Sequence, residues 1–301
     1  MSLGILKSEE LKRAAERALS GEPDRFLKML VFHSGLPGPK PNLRLAEVVG
    51  EALAGEPASG PIVARMAEEI AAPDTAEVFL PIVAAHALAA SVQRGRANDE
   101  AWQGLRELAG DERAPVRQGT EHALLLLGKR GHADALVRQL GGWLAHERRD
   151  VRWGAAATVL DALASARAME GLSERQALLD TLGWLIADVV DAPRAAERSD
   201  GRRRVLAAIA AIAAAVATTF RSQPDGAAWL RDQMATARHP DLRRAFDEAL
   251  ERMKRHGGAE KVATLTELGE ALASSAKPDR HAARRQEGMT SRGKRRKLRG
   301  R

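Results

Sequence analysis

The sequence predicts an all-α protein: a right-handed α-solenoid of about six helical pairs, followed by a disordered basic tail. Three observations lead there. Strand signals are missing, because no Val/Ile/Thr/aromatic run alternates and no Asn-Gly or Asp-Gly pair stands between such runs. Helix start and stop residues recur along the chain. One short pattern returns several times at a spacing suited to a two-helix unit.

The stop signals are Gly21, Gly35, Gly55, Gly110, Gly128 and the pair Gly257-Gly258, each after an apolar-periodic run. For helix starts, Ser173–Gln176 ("SERQ") has capping-box spacing, with Ser173 at N-cap and Gln176 at N3. Asp99, Asp150, Asp225 and Asp241 stand where N-caps or first-turn acids belong. Pro61, Pro115 and Pro240 suit a first helical turn, where a missing amide costs nothing. Together these signals predict about 12 to 15 helices. Between the first of them, "SGLPGPKPN" (Ser34–Asn42) places Pro37, Pro39 and Pro41 alternately. That predicts an extended stretch ahead of a helix beginning at Asn42. The segment 35–42 reads as a stiff connection after Phe26–His33, with a partner-docking edge as the alternative. Val205–Phe220 ("VLAAIAAIAAAVATTF") is apolar all round but short and Ala-rich for a membrane span, so a buried core helix is expected.

The recurring pattern is a capping-type or Pro residue, an aliphatic, Arg, any residue, then a small one. It occurs at Asn42–Ala46, Pro115–Gly119, Asp150–Gly154 and Asp241–Ala245. Degenerate copies at Pro81–Ala85 and Arg204–Ala208 fill the gaps, so starts fall near 43, 82, 116, 151, 205 and 242. The aliphatic and small residues share a helical face, which predicts burial of Leu43, Val116, Val151, Val205 and Leu242 and close approach of a neighbouring helix at the small residue. The Arg sits at a helix start, where it opposes the dipole, and therefore needs a partner elsewhere.

"HPDLRRAFDEAL", "DERAPVRQGTEHALLLLG" and "RRDVRWGAAATVLDAL" resemble the second helices of HEAT repeats. The resemblance covers most of residues 20–260, although the copies near 82 and 205 lack the Arg. It implies a structural ladder between adjacent repeats, with Asp111 and Arg117, Asp150 and Arg152, and Asp241 and Arg243 as its members. A phosphate-binding stripe is the other use of such arginines. The HEAT-like domain is expected over 1–276.

Charge divides the chain. Residues 277–301 hold eleven Lys/Arg against Asp279 and Glu287, a balance of +9. The whole chain carries +7, so residues 1–276 carry −2. The tail has almost no apolar residues to bury and is expected to be disordered. Its last stretch, "RGKRRKLRGR", gathers Arg292, Lys294, Arg295, Arg296, Lys297, Arg299 and Arg301 with no acid or aromatic. That composition predicts weak, sequence-blind, salt-sensitive contact with nucleic acid or another polyanion.

Hydrophobic residues make up 45% of the 301, enough for a core, and there is no Cys and no Tyr. Without Cys, disulfides, thiolate nucleophiles and thiolate metal sites are excluded, and a reducing, cytoplasmic setting is expected. Ala- and Arg-rich usage points to a GC-rich bacterial genome. The first residues show charge from Lys7 and no apolar h-region, so no signal peptide is read.

Catalytic patterns are thin. There is no HExxH (His146-Glu147 begins one, but Asp150 closes it), no GxGxxG, no Walker loop and no GxSxG elbow. His122, in "EHALLLL", reads as a packed or surface histidine, and Glu68-Glu69 as a solvated helix face. One enzymatic pairing stands out: Trp184 and Asp188 lie one helical turn apart. It is similar to the Asp flanked by Trp and Arg on the concave surface of HEAT-like alkylpurine DNA glycosylases. Arg221 and Trp229 are the nearby candidates for the remaining members. A core Trp184 with a surface Asp188 is the competing expectation. The expected function is a non-catalytic scaffold or adaptor that binds a protein partner on its concave surface, without cofactor, metal or membrane. The glycosylase-type repair protein is the alternative.

Overall fold

The computed structural model describes residues 2–6, 8–95, 99–146, 148–193, 196, 198–222, 224–255 and 262–275. These residues form fifteen α-helices and short 3-10 turns, with no strand among them. The tail 277–301, with Arg292, Lys294, Arg295, Arg296, Lys297, Arg299 and Arg301, and the pair Gly257-Gly258 lie outside the described residues.

Helix α1 (Glu9–Leu19) starts at Ser8, whose Oγ accepts the Leu11 amide, and ends before Gly21 at φ 102°. It is followed by α2 (Asp24–Phe32) and by α3 (Leu43–Ala54), which Asn42 caps through Leu45 N–H at 3.1 Å. Next come α4 (Gly60–Ala67), α5 (Phe79–Gln93), α6 (Asp99–Ala109), α7 (Ala114–Leu127), α8 (Ala133–Trp143) and α9 (Arg149–Leu163). The short α10 (Ala166–Glu170), α11 (Arg175–Val190), α12 (Asp200–Thr219), α13 (Gly226–Thr236), α14 (Pro240–Arg255) and α15 (Val262–Ser274) complete the order. Pro61, Pro115 and Pro240 do occupy first turns, and Asp225 caps α13 through the amides of Ala227 and Ala228.

Six of these helices make a row: α3 packs on α5, α5 on α7, α7 on α9, α9 on α12 and α12 on α14. They are the six helices that carry the recurring pattern or, in α5 and α12, its degenerate copies. Those copies start at Pro81 and Arg204, after the helices' first residues Phe79 and Asp200. The long step between the copies at 151 and 205 is occupied by the extra helix α10 and the 191–199 connection. Small residues set the close approach. A Cβ on Gly119 would come within 2.5 Å of Ile82 Cγ2, and one on Gly50 within 2.7 Å of the His86 backbone. One continuous apolar core runs from Leu3 to Leu272, with Trp153, Phe79, Phe220 and Phe246 fully buried. Full burial of each such side chain stabilises by about 1.5–3 kcal/mol. Val205, Ile209, Ile212, Val216 and Phe220 belong to that core, as expected of Val205–Phe220. Among the described residues one stretch, Ala76–Gln93, is long and apolar enough to cross a membrane, and 72% of it is buried inside the protein.

Several local expectations are corrected. Val116, Val205 and Leu242 are buried, but Leu43 and Val151 are half-buried. α7 ends at Leu127 with Gly128 at its C-cap, but Gly128 itself keeps helical backbone angles, φ −60°. The chain runs on through a wide turn, Gly128–His132, and the reversal falls at Gly131, φ 94°. Ser173 and Gln176 do not form a capping box. Asp134 of α8 accepts the amides of Ser173 and Glu174 at 2.9 Å and the Ser173 hydroxyl, because a carboxylate is the stronger acceptor. Gln176 turns instead to Asp180. The proline-rich segment is not extended. Asn42 N–H donates to Ser34 C=O at 2.6 Å and Asn42 Nδ2 to His33 C=O, closing 34–42 into a tight loop in which Gly35 adopts φ 77°.

Candidate functional site

Three of the four arginines of the recurring pattern find partners off their own helices, whereas Arg44 binds Glu47 one turn along α3. Arg117 Nη1 donates to the carbonyls of Asp111 and Glu112, and Arg152 Nη1 to that of His146. In both, an acceptor lies six residues back, near the end of the preceding helix, where carbonyls are left over and a cation is welcome. The repeated use of the same offset explains why Arg recurs at a position its own helix dipole disfavours.

The expected acid–arginine pairs are re-partnered. Asp111 binds Arg113 rather than Arg117, with Arg113 Nη2 at 2.7 Å from Oδ2, and Arg113 also reaches the Glu69 carbonyl. Asp150 accepts Gly201 N–H at 3.0 Å, and Arg152 binds Asp188. Asp241 binds Arg202 and Arg244, while Arg243 donates to Leu272 C=O and to Ser275. Apart from Arg113 and Arg244, which lie two and three residues from their acids, these partners are 29 to 51 residues apart, and those contacts join separate helices. Asp150 and Arg152 on α9, and Asp241 and Arg243 on α14, do not pair because residues two apart on a helix face different directions.

Asp188 is the densest of these junctions. Arg149 Nε (3.1 Å) and Arg152 Nη2 donate to its Oδ1, and Arg152 Nε (3.1 Å) and Trp153 Nε1 (2.8 Å) to its Oδ2. Burial would raise its pKa, but the hydrogen bonds from Arg152, Trp153 and Arg149 hold it below the usual carboxylate range. The Asp188 side chain is only 6% exposed, whereas Trp184, one turn away, is 47% exposed with the Arg152 guanidinium 5.5 Å from its ring centre. This inverts the expected core Trp184 and surface Asp188. The apolar stripe Leu178, Leu182, Leu185 and Val189 takes the core side of α11, and Asp188 is covered by the N-terminal turn of α9. Arg221 and Trp229 are not among the groups that contact Asp188.

A second constellation had no sequence signal. Glu121 of α7, Asp161 of α9, Arg204 of α12 and Arg252 of α14 interact electrostatically across four successive helices of the row, and so share one side of it. Asp161 reaches solvent, yet burial among those helices, together with the charge of Glu121, raises it to about 7. Arg204 is lowered to about 10 by burial and by Arg117, and is anchored by Gly154 C=O (2.9 Å) and Thr158 Oγ1 (3.0 Å). Only the stacking of four helices brings these residues together. On α3, α5 and α7, His86 and His122 meet at 3.4 Å beside Arg130, which binds Glu47 and Glu51. His122 is half-buried, in keeping with a packed histidine. Among the described residues no three His, Asp or Glu side chains are grouped as metal ligands.

Comparisons with protein-family models, with curated proteins and with solved structures found no match.

Proposed function

We propose that this chain is a non-catalytic, HEAT-like right-handed α-solenoid scaffold that holds a protein partner along the concave side of the row α3–α5–α7–α9–α12–α14. The observation that carries the reading is the row itself, in which six pattern-bearing helices pack in sequence order and side chains tie one unit to the next. Stacked units of this kind offer a long surface for an extended partner. The face bearing Glu121, Asp161, Arg204 and Arg252 gives it an acidic part on α7 and α9 and a basic part on α12 and α14. The basic segment after residue 276 adds weak contact with nucleic acid or another polyanion.

The test is affinity capture with the full chain against Asp161→Lys, an exposed charge reversal that leaves the core intact. A protein retained by the parent and lost with the variant supports the scaffold. Recovery of nucleic acid alone, dependent on the C-terminal segment, overturns it. The glycosylase alternative draws on the exposed Trp184 beside Arg152 and Asp188. It ranks second because four N–H donors already occupy both oxygens of Asp188. Release of alkylated purine from duplex DNA, abolished by Asp188→Asn in a folded variant, would reverse the order.

A further inference from the structure

The N-terminal turns of α12 and α14 enclose an open cavity of about 550 Å³ lined by Arg198, Ser199, Arg202, Arg203, Arg244, Asp241 and Glu248, over an apolar floor of Leu206, Ala207 and Ala245. Arg202 is its distinctive member. Although this side chain is 2% exposed, its only carboxylate contact is Nη1 to Asp241 Oδ2, 2.5 Å. Its Nε–H meets no acceptor and is the one buried side-chain polar atom without a partner among the described residues. Nη2 is scarcely better placed. It lies 3.4 Å from His239 Nε2, but His239 Nδ1 already accepts the Asp241 amide, so the neutral ring carries its proton on Nε2. Two N–H groups of a buried guanidinium are thus short of acceptors, and an arginine cannot relieve this by losing its proton.

The charge around the cavity has the matching sign. Four arginines line it against two carboxylates, a surplus of two positive charges. Outside the lining, Arg252 bound to Glu248 and Asp200 bound to Arg203 cancel each other. Arg203 and Arg244 are long and exposed, each held by one surface ion pair, to Asp200 and to Asp241, while Ser199 places the start of the 20-residue α12 at the rim.

We propose that this cavity binds a phosphate monoester, with Arg202 Nε and Nη2 as a buried fork on its oxygens, Arg203 and Arg244 closing from solvent, and the organic group lying on Leu206, Ala207 and Ala245. A dianion balances the surplus charge, and its several oxygens supply the acceptors that one carboxylate does not. The cavity lies at the α12–α14 end of the row, and its test reads phosphate binding rather than protein capture.

The test is calorimetry and thermal shift on the full chain with inorganic phosphate and with phenyl phosphate, and duplex DNA as a separate arm. Binding of both phosphates is expected, tighter for phenyl phosphate, with a rise in Tm. Arg202→Gln should weaken it by about tenfold or more. A second variant, Arg203→Gln with Arg244→Gln, changes only exposed side chains and should weaken it about threefold to tenfold. The basic segment is unchanged in every variant, so its own contribution cancels. Absence of phosphate binding to the parent, or binding unmoved by the Arg203/Arg244 variant and by a folded Arg202→Gln, overturns the site. Arg202-dependent binding of DNA without binding of either phosphate also overturns it, in favour of a nucleic-acid contact.

Discussion

Two arginine–aspartate junctions, alike in sequence separation, have opposite polarity. Arg152 and Asp188 are 36 residues apart, Arg202 and Asp241 39. At the first, the acid is buried with donors on both of its oxygens, and Arg149 reaches towards water. At the second, the arginine is buried and the acid is 28% exposed, so the guanidinium's donors outnumber the protein acceptors around it. The first junction is complete as protein. The second is complete only with an anion. What decides between a structural clamp and a binding site is therefore which partner the fold buries, since a buried polar group must be satisfied or it costs stability.

The contrast can be broken most decisively at Asp188. Asp188→Ala strands Arg149, Arg152 and the Trp153 indole N–H, and should destabilise by about 3–5 kcal/mol in denaturant unfolding. A loss under 1 kcal/mol would mean that the junction is not a clamp. Its depressed pKa adds stability that is present at neutral pH and lost as pH falls through the carboxylate range.

His86 sharpens the comparison, because it is a buried cation-former that can give up its proton. Burial, then the charges of His122 and Arg130, lower it to about 3. It is neutral when folded, whereas the unfolded chain takes up a proton below its ordinary value of 6.5. Its contribution is thus present above pH 6.5 and lost as pH falls from there toward 3, roughly 3 kcal/mol by pH 4. Asp161, raised to about 7, acts with the opposite sign over an overlapping window. The reading is therefore the difference between the parent and His86→Gln across pH 4 to 7, where the variant should show the shallower loss.

Arg202→Met should cost less than about 1.5 kcal/mol, because it removes unsatisfied donors and leaves Asp241 with Arg244 and solvent. A cost equal to that of Asp188→Ala would erase the distinction between the junctions. The smallest effect belongs to Trp184→Ala. Its exposed ring contributes a cation–π contact with Arg152 worth about 0.5–1 kcal/mol, and its loss should leave the melting transition nearly in place.

Much of this architecture could be read from the chain alone. Period, caps and small residues depend on neighbours within a turn or two, so the all-helical class, the caps at Asn42 and Asp225, and the six pattern-bearing helices were legible. The need of Arg117, Arg152 and Arg243 for partners off their own helices was legible too, from the dipole, although Arg44 stays with Glu47 on α3. Which partners they take was not. Asp188 for Arg152, Asp241 for Arg202 and the grouping of Glu121, Asp161, Arg204 and Arg252 are set by how helices 30 to 90 residues apart stack. The same holds for burial: Asp188 and Trp184 share a helix face one turn apart, and no periodicity says which the N-terminus of α9 will cover. A local pattern specifies which groups need satisfaction, whereas the packing of distant helices determines which of them lose water and what replaces it. That is why the helices were apparent in the sequence, and why the unsatisfied guanidinium of Arg202 emerged only from the tertiary structure.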